Sequence, residues 1–246
     1  TNLDFSSNSY TNVTNIALTM ISIEIGALAT SCTVTNNIFK DCTASLKAGA
    51  LFDIDAMLVQ ISSGTGTALL DSNTFRNITI TTQQSNAVTT LPGALVKVSQ
   101  STSSLSFLGN SMDNIQLLST MSLIDIMGDS FTVSNLTVSN VESTGSASVL
   151  SFKGETATLS TMELNNMHIP ASMDSAVLSI QGFSLDPLVD TISIQSCSFQ
   201  NVSGGSTGIL SVRNGNYSLS IQNITFRQSQ ASGGALIAFS ESNFSS

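Results

Sequence analysis

Acidic side chains gather in one place along this chain. Outward positions of a recurring apolar run put Glu24, Asp53, Lys97 and Asp125 in one column, continued by Ser151, Ser179, Ser211 and Ala238, with Asp55 and Asp129 close by. Paired carboxylates can cleave a glycosidic bond by general acid and base catalysis. Carboxylates that hold a cation beside an Arg or Lys base would suit a lyase. Here no Arg or His accompanies the acids. Lys97 stands between Asp53 and Asp125, so the column reads as a solvated row of alternating charge.

The other reactive groups are as sparse. His168, in NNMHIP, is the sole histidine, without a Cys/His cluster of metal spacing around it, and is expected in a loop. Serine is too abundant for a Ser–His–Asp set to be singled out, and there is no glycine-rich phosphate loop. No catalytic residue, metal site or cofactor is assigned. Cys32, Cys42 and Cys197 are too few for a disulfide framework. Cys32 and Cys42 occupy apolar positions of one repeat. They are either small buried hydrophobes or a single bridge; Cys197 has no evident partner.

Asn-x-Ser/Thr occurs at Asn12, Asn77, Asn135, Asn201, Asn216, Asn223 and Asn243. A chain rich in Asn, Ser and Thr makes such triplets by chance, but composition, low charge and sequons together favour secretion with N-linked glycans. Asn135, Asn216 and Asn223, at corners or loops, are expected to be modified before Asn12, Asn77 and Asn201.

Composition narrows the function classes. Charged residues make up 9% of the 246 residues and the net charge is −9, against about 25% charged in ordinary domains. Seven Lys and Arg in all cannot form the cationic cluster that nucleic acid requires, nor bind an anionic membrane. A mean hydropathy of +0.27 argues against disorder. No apolar run reaches the ~18 residues of a membrane span, so no direct membrane insertion is expected in this segment.

These residues sit in a repeat found eight times. Its anchors are Tyr10, Phe39, Phe75, Met112, Val138, Leu164, Phe199 and Phe226. Seven and five residues earlier come Leu3/Phe5, Cys32/Val34, Ala68/Leu70, Leu105/Phe107, Phe131/Val133, Ala157/Leu159, Ile192/Ile194 and Leu219/Ile221. That period-two spacing marks a strand with one buried face. A polar corner lies three residues before the anchor, from Ser7 and Asn36 to Asn223. Two residues after it stand Asn12, Asp41, Asn77, Asn114, Asn140, Asn166, Asn201 and Gln228. Asn tolerates left-handed backbone, and stacked Asn12, Asn77, Asn114, Asn140, Asn166 and Asn201 are expected to form a hydrogen-bonded ladder.

A third run closes each unit: residues 19–23, 50–54, 94–98, 122–126, 148–152, 176–180, 208–212 and 235–239. Its first residue is small, and its third and fifth are apolar. Its second is also apolar; that column either turns inward, is covered by a loop, or contacts another protein. Longer stretches at 78–93, 55–67 and 181–190 read as insertions. The pattern predicts an all-β fold: a single-chain parallel β-solenoid, or right-handed β-helix, of about eight coils with three short strands each, over residues 1–246 as one continuous domain. Hydrophobic columns fused along such a stack supply its core.

FKDCTASLKAGALF at 39–52 and FRQSQASGGALI at 226–237 resemble the polymorphic-outer-membrane-protein type of repeat, with its Phe-x-x-Asn and Gly-Gly-Ala-Ile/Leu hallmarks, and the wider parallel β-helix superfamily that includes pectin lyases. Gly-Gly-Ala is intact only at 233–235, and the Asn here follows the anchor by two residues, not three. The resemblance implies a surface-exposed, adhesin-like or structural passenger and assigns no catalytic residue. Ser/Thr pairs flanking buried residues, such as Thr33/Thr35 and Thr132/Ser134, resemble the flat faces of ice-binding solenoids. Asp4, Leu69, Asp71, Leu108, Gln195 and Gln222 interrupt that face, and the β-propensity of Thr accounts for it.

No cap is evident at either end, and SESNF after Phe239 reads as the start of a further unit. The expectation is therefore a segment of a longer solenoid, self-associating or joined to neighbouring solenoid segments. Its expected role is that of an extracellular structural or adhesive surface glycoprotein, a subunit of a filament or cell-surface coat. The alternative is a carbohydrate-active, pectin lyase-like enzyme or a glycan-binding module.

Overall fold

Residues two apart share a face of an extended chain, so each short apolar pair in the sequence needs a partner strand to cover it. The computed structural model describes residues 2–14, 21–25, 31–47, 56–63, 66–83, 94–100, 104–117, 122–143, 148–170, 175–182 and 190–244. Among them the protein is all-β with no helix, and its strands pair in parallel.

The pairings form three ladders. The first joins Asn2–Ser6, Ser31–Thr35, Thr67–Asp71, Ser104–Leu108, the opening halves of Ser130–Ser143 and Thr156–His168, Asp190–Gln195 and the end of Leu210–Gln222. The second joins Ser9–Thr11, Ile38–Lys47, Thr74–Gln83, Ser111–Leu117, the closing halves of Ser130–Ser143 and Thr156–His168, Ser198–Gly204 and Thr225–Arg227. The third joins Ile21–Ile25, Ala56–Ser63, Ala94–Gln100, Ser122–Met127, Leu150–Lys153, Leu178–Gln181, the start of Leu210–Gln222 and Ile237–Phe244.

Register places like on like. Val34 lies beside Leu70, Leu70 beside Phe107 and Phe107 beside Val133, all fully buried. In the second ladder the rings of Phe39 and Phe75 stack at 4.9 Å with an interplanar angle of 1°, about the strand spacing itself. Each such buried side chain contributes roughly 1.5–3 kcal/mol. The ladders share one hydrophobic cluster. At its two extremes Leu3 is 39% and Phe239 47% exposed, because their strands pair on one side only among the described residues.

The chain turns between ladders at left-handed residues. All the non-glycine residues of positive φ among those described fall in two columns. One is Ser7, Asn36, Ser72, Asn135, Thr161, Ser196 and Asn223, with Gly109 completing it; the other is Asn12, Asp41, Asn77, Asn114, Asn140, Asn166, Asn201 and Gln228. A single residue near φ 55 redirects the strand without a loop. The bend also changes the parity of alternation, so the residue after each corner points inward, as Leu136, Val141 and Ile78 do.

The third ladder corrects one boundary. The partner of Ile21–Ile25 is Ala56–Ser63, with Ile21 beside Val59 and Ile23 beside Ile61, rather than a run at 50–54. Residues 50–54 lie outside the described set, and much of the expected insertion at 55–67 is this strand. Ala56 stands beside Ala94, and a bulge then brings Val59 beside Val96. The second-position column turns inward: Leu95, Leu123, Val149, Val177 and Ile209 are all buried. The small first position has a steric cause at Gly208, whose φ is +97 and where an added Cβ would approach the Ala235 carbonyl oxygen to 2.9 Å.

Candidate functional site

Side-chain hydrogen bonds run along the second corner column. Asn77 donates its side-chain amide to Asp41 Oδ1 at 2.6 Å, and Asn114 donates to Asn77 at 3.0 Å. Asn166 donates to Asn140 at 3.0 Å and Asn201 to Asn166 at 2.8 Å. Between these two series the line jogs. Asn140 donates to Asp113 at 2.7 Å instead of to Asn114. Asn12 engages the next layer through its backbone N–H, which donates to the Lys40 carbonyl.

Asp113 is a small electrostatic hub. It accepts from Ser139 at 2.7 Å as well as from Asn140, and lies 3.5 Å from the Arg76 guanidinium. The hydrogen bonds from Ser139 and Asn140, with the Arg76 charge, hold its carboxyl below the ordinary value despite some desolvation. Lys40 and Asp41 form a looser exposed pair at 3.8 Å.

A second polar column runs inside the protein, at positions that the repeat pattern does not flag. Asn8 donates to Asn37 Oδ1, Asn37 to Asn73 and Asn73 to Asn110, each at 3.0 Å. The backbone N–H of Asn8, Asn37 and Asn73 donates to the same oxygens. The amides of Asn37, Asn73 and Asn110 also reach the carbonyls of Phe5, Val34 and Leu70. Asn37, Asn73 and Asn110 are buried to within 1%, so every partner counts. The column then turns apolar, with Leu136, Met162 and Cys197 at the same place. Four asparagines, each two residues before an aromatic or Met anchor, are the only signal in the sequence.

The charged column holds from Lys97 onward, and Glu24 is not part of it. In register, Lys97 lies between Gln60 and Asp125, followed by Ser151, Ser179, Ser211 and Ala238. Ser22, not Glu24, aligns with Gln60; Glu24 aligns with Ser62 one position pair further on. Gln60, seven residues after Asp53 in the chain, holds the position beside Lys97, and Asp53 and Asp55 lie outside the described residues. His168 ends the strand Thr156–His168, exposed between Glu142 and Ser203 in register, rather than occupying a loop. No group of three or more His, Cys, Asp or Glu residues suited to hold a metal ion occurs among the described residues.

Cys32, Cys42 and Cys197 are all free thiols, so no bridge joins Cys32 to Cys42. Cys32 packs between Leu3 and Ala68 in the first ladder, whereas Cys42, beyond the Asp41 corner, lies beside Ile78 in the second. Burial, with a contribution from Asp4, pushes the Cys32 thiol up to about 11. Burial raises Cys42 and Cys197 as well; their sulfurs face the Lys40 carbonyl at 3.5 Å and the Gln195 carbonyl at 3.3 Å.

The outer face of the first ladder is mostly hydroxyl-bearing and uncharged between Ser130 and Gln222. Thr132, Thr158, Ser193 and Ser220 are successive register neighbours there, flanked by Ser134, Ser160, Gln195 and Gln222. Among the sequons, Asn12, Asn135, Asn201 and Asn223 are exposed and Asn77 is half-buried. Asn216 and Asn243 are register partners whose side chains lie outside the described set. No protein-family signature, no curated protein and no solved structure matches this chain.

Proposed function

We propose that the chain is a right-handed parallel β-solenoid of about eight coils, three strands to a coil, that acts as an extracellular structural or adhesive surface glycoprotein. The observation that carries this reading is the coincidence of the three parallel ladders with two unbroken columns of left-handed corners. A repeated corner at fixed spacing winds a chain into stacked turns. The repeat's likeness to surface-passenger sequences and the uncharged, hydroxyl-rich outer face support an exposed, extended role over nucleic-acid or small-molecule work. Glu24 and Asp125 stand in different register columns, which gives the pectin lyase-like alternative less support.

Its proposed partners are further layers of parallel strands, from a neighbouring solenoid segment or a second copy, laid on the half-exposed Phe5, Tyr10, Phe226 and Leu236. Edge strands with unpaired backbone groups are natural templates for such addition. The test is electron microscopy of the full-length protein together with labelling of intact source cells by a membrane-impermeant reagent. Rods or filaments and a labelled protein are expected. Dispersed globular particles, or a protein shielded from the label, would contradict the reading.

A further inference from the structure

Two sequons of identical form stand in different packing. Asn135-Leu136-Thr137 and Asn77-Ile78-Thr79 each run left-handed corner, buried apolar residue, outward Thr. The fold itself generates this order, because the residue after each corner turns inward and the next turns out. The triplet alone therefore cannot distinguish an acceptor from a corner, and the surroundings of the amide must do so.

Resting on the extracellular reading above, we propose that Asn135 carries an N-linked glycan and that Asn77 does not. Asn135 is exposed at φ 53, and its side chain makes no hydrogen bond with another described residue. Its neighbours in the corner column are Gly109 and Thr161, and Gly109 bonds back only through its backbone N–H to the Ser134 carbonyl. Asn77 is confined on both sides: its Nδ2 donates to Asp41 at 2.6 Å and its Oδ1 accepts from Asn114 at 3.0 Å.

Transfer joins Nδ2 to the anomeric carbon of an oligosaccharide carried on a lipid diphosphate. The carbon–oxygen bond to the diphosphate breaks, the diphosphate leaves with the electron pair, and one amide proton is lost. At Asn135 the sugar projects into solvent. At Asn77 it would lie in the stack between Asp41 and Asn114, where successive layers are only ~4.8 Å apart, and the line Asp41–Asn77–Asn114 would open.

The test is site mapping on the full-length protein from its native source, released by an amidase that leaves heavy-oxygen Asp at each former glycan site. Asn135 should be labelled and Asn77 not, and Asn135→Gln should remove one glycan mass where Asn77→Gln removes none. Equal labelling of Asn77 and Asn135, or labelling elsewhere with Asn135 bare, would overturn this inference and leave the extracellular reading standing. A protein bare at every sequon would overturn both.

Discussion

Asn37 donates its side-chain amide to Asn73 across 3.0 Å with both residues shut away from solvent. The Asn73 side chain bonds to both neighbouring layers: its amide donates to Asn110 ahead and to the Val34 carbonyl behind, and its Oδ1 accepts from the Asn37 amide and backbone N–H. Asn73→Ala should therefore lower stability by about 3 kcal/mol, since it strands the Asn37 amide and backbone N–H together with the Val34 carbonyl. Chemical denaturation checks this. A loss below about 1 kcal/mol would mean that the column is not satisfied as described.

Thr161 holds φ 53 with a β-branched side chain, where the same column uses Asn36, Asn135 and Asn223. Thr161→Asn should stabilise the protein by about 1 kcal/mol by relieving a conformation that L-residues other than Gly and Asn avoid. Thr161→Val should lose stability. Thermal unfolding of the two variants gives opposite shifts if the corner is left-handed and like shifts if it is not.

Asp113 has its folded pKa lowered by Ser139, Asn140 and Arg76. A depressed carboxyl contributes stability above its ordinary value of 3.8, and that contribution is lost as pH falls through the lowered value. Asp113→Asn should flatten the acid limb of the stability curve, costing stability at neutral pH and little once the wild-type carboxyl is protonated. An unchanged acid limb would contradict the hub. The effect should be modest, because the group is partly exposed and screened.

Cys32 behaves with the opposite sign. Its folded pKa is raised from 9.0 to about 11, so its contribution is complete below pH 9 and disappears as pH rises through that interval. Cys32→Ala should shrink the alkaline loss. Thiol titration of the unreduced, denatured protein should find all three cysteines free, and protection of all three in the native state is expected from their burial. Two missing thiols would indicate a bridge.

Much of the fold was legible because it is written in repeated pairs. Leu3/Phe5 through Leu219/Ile221 have the spacing of one buried face, and the Ser7 and Asn12 columns announce the corners. The inward Asn8, Asn37, Asn73 and Asn110 were not legible, for two physical reasons. Period-two counting fails across a left-handed residue, which resets which face is buried. Buried amides also look like surface residues until their partners are known. For the third strand of the second repeat the sequence points to 50–54, which fits small-apolar-apolar-x-apolar better than Ala56–Ile61, whose bulge carries an extra residue. Only the pairing with Ile21–Ile25 and Ala94–Gln100 separates the two. Glu24 is a separate matter: it stands two residues beyond Ser22, which holds the column position in its own run.

The most direct test of the stacked architecture is a set of spin-label distances along one outward column. Thr33, Leu69, Ser106, Thr132, Thr158, Ser193 and Ser220 are successive register neighbours. In a cysteine-free background, labels at Thr33 paired with Thr158, Ser193 or Ser220 should lie roughly 19, 24 and 29 Å apart, rising by ~4.8 Å per layer. Distances that fail to rise from one partner to the next would contradict the parallel stack.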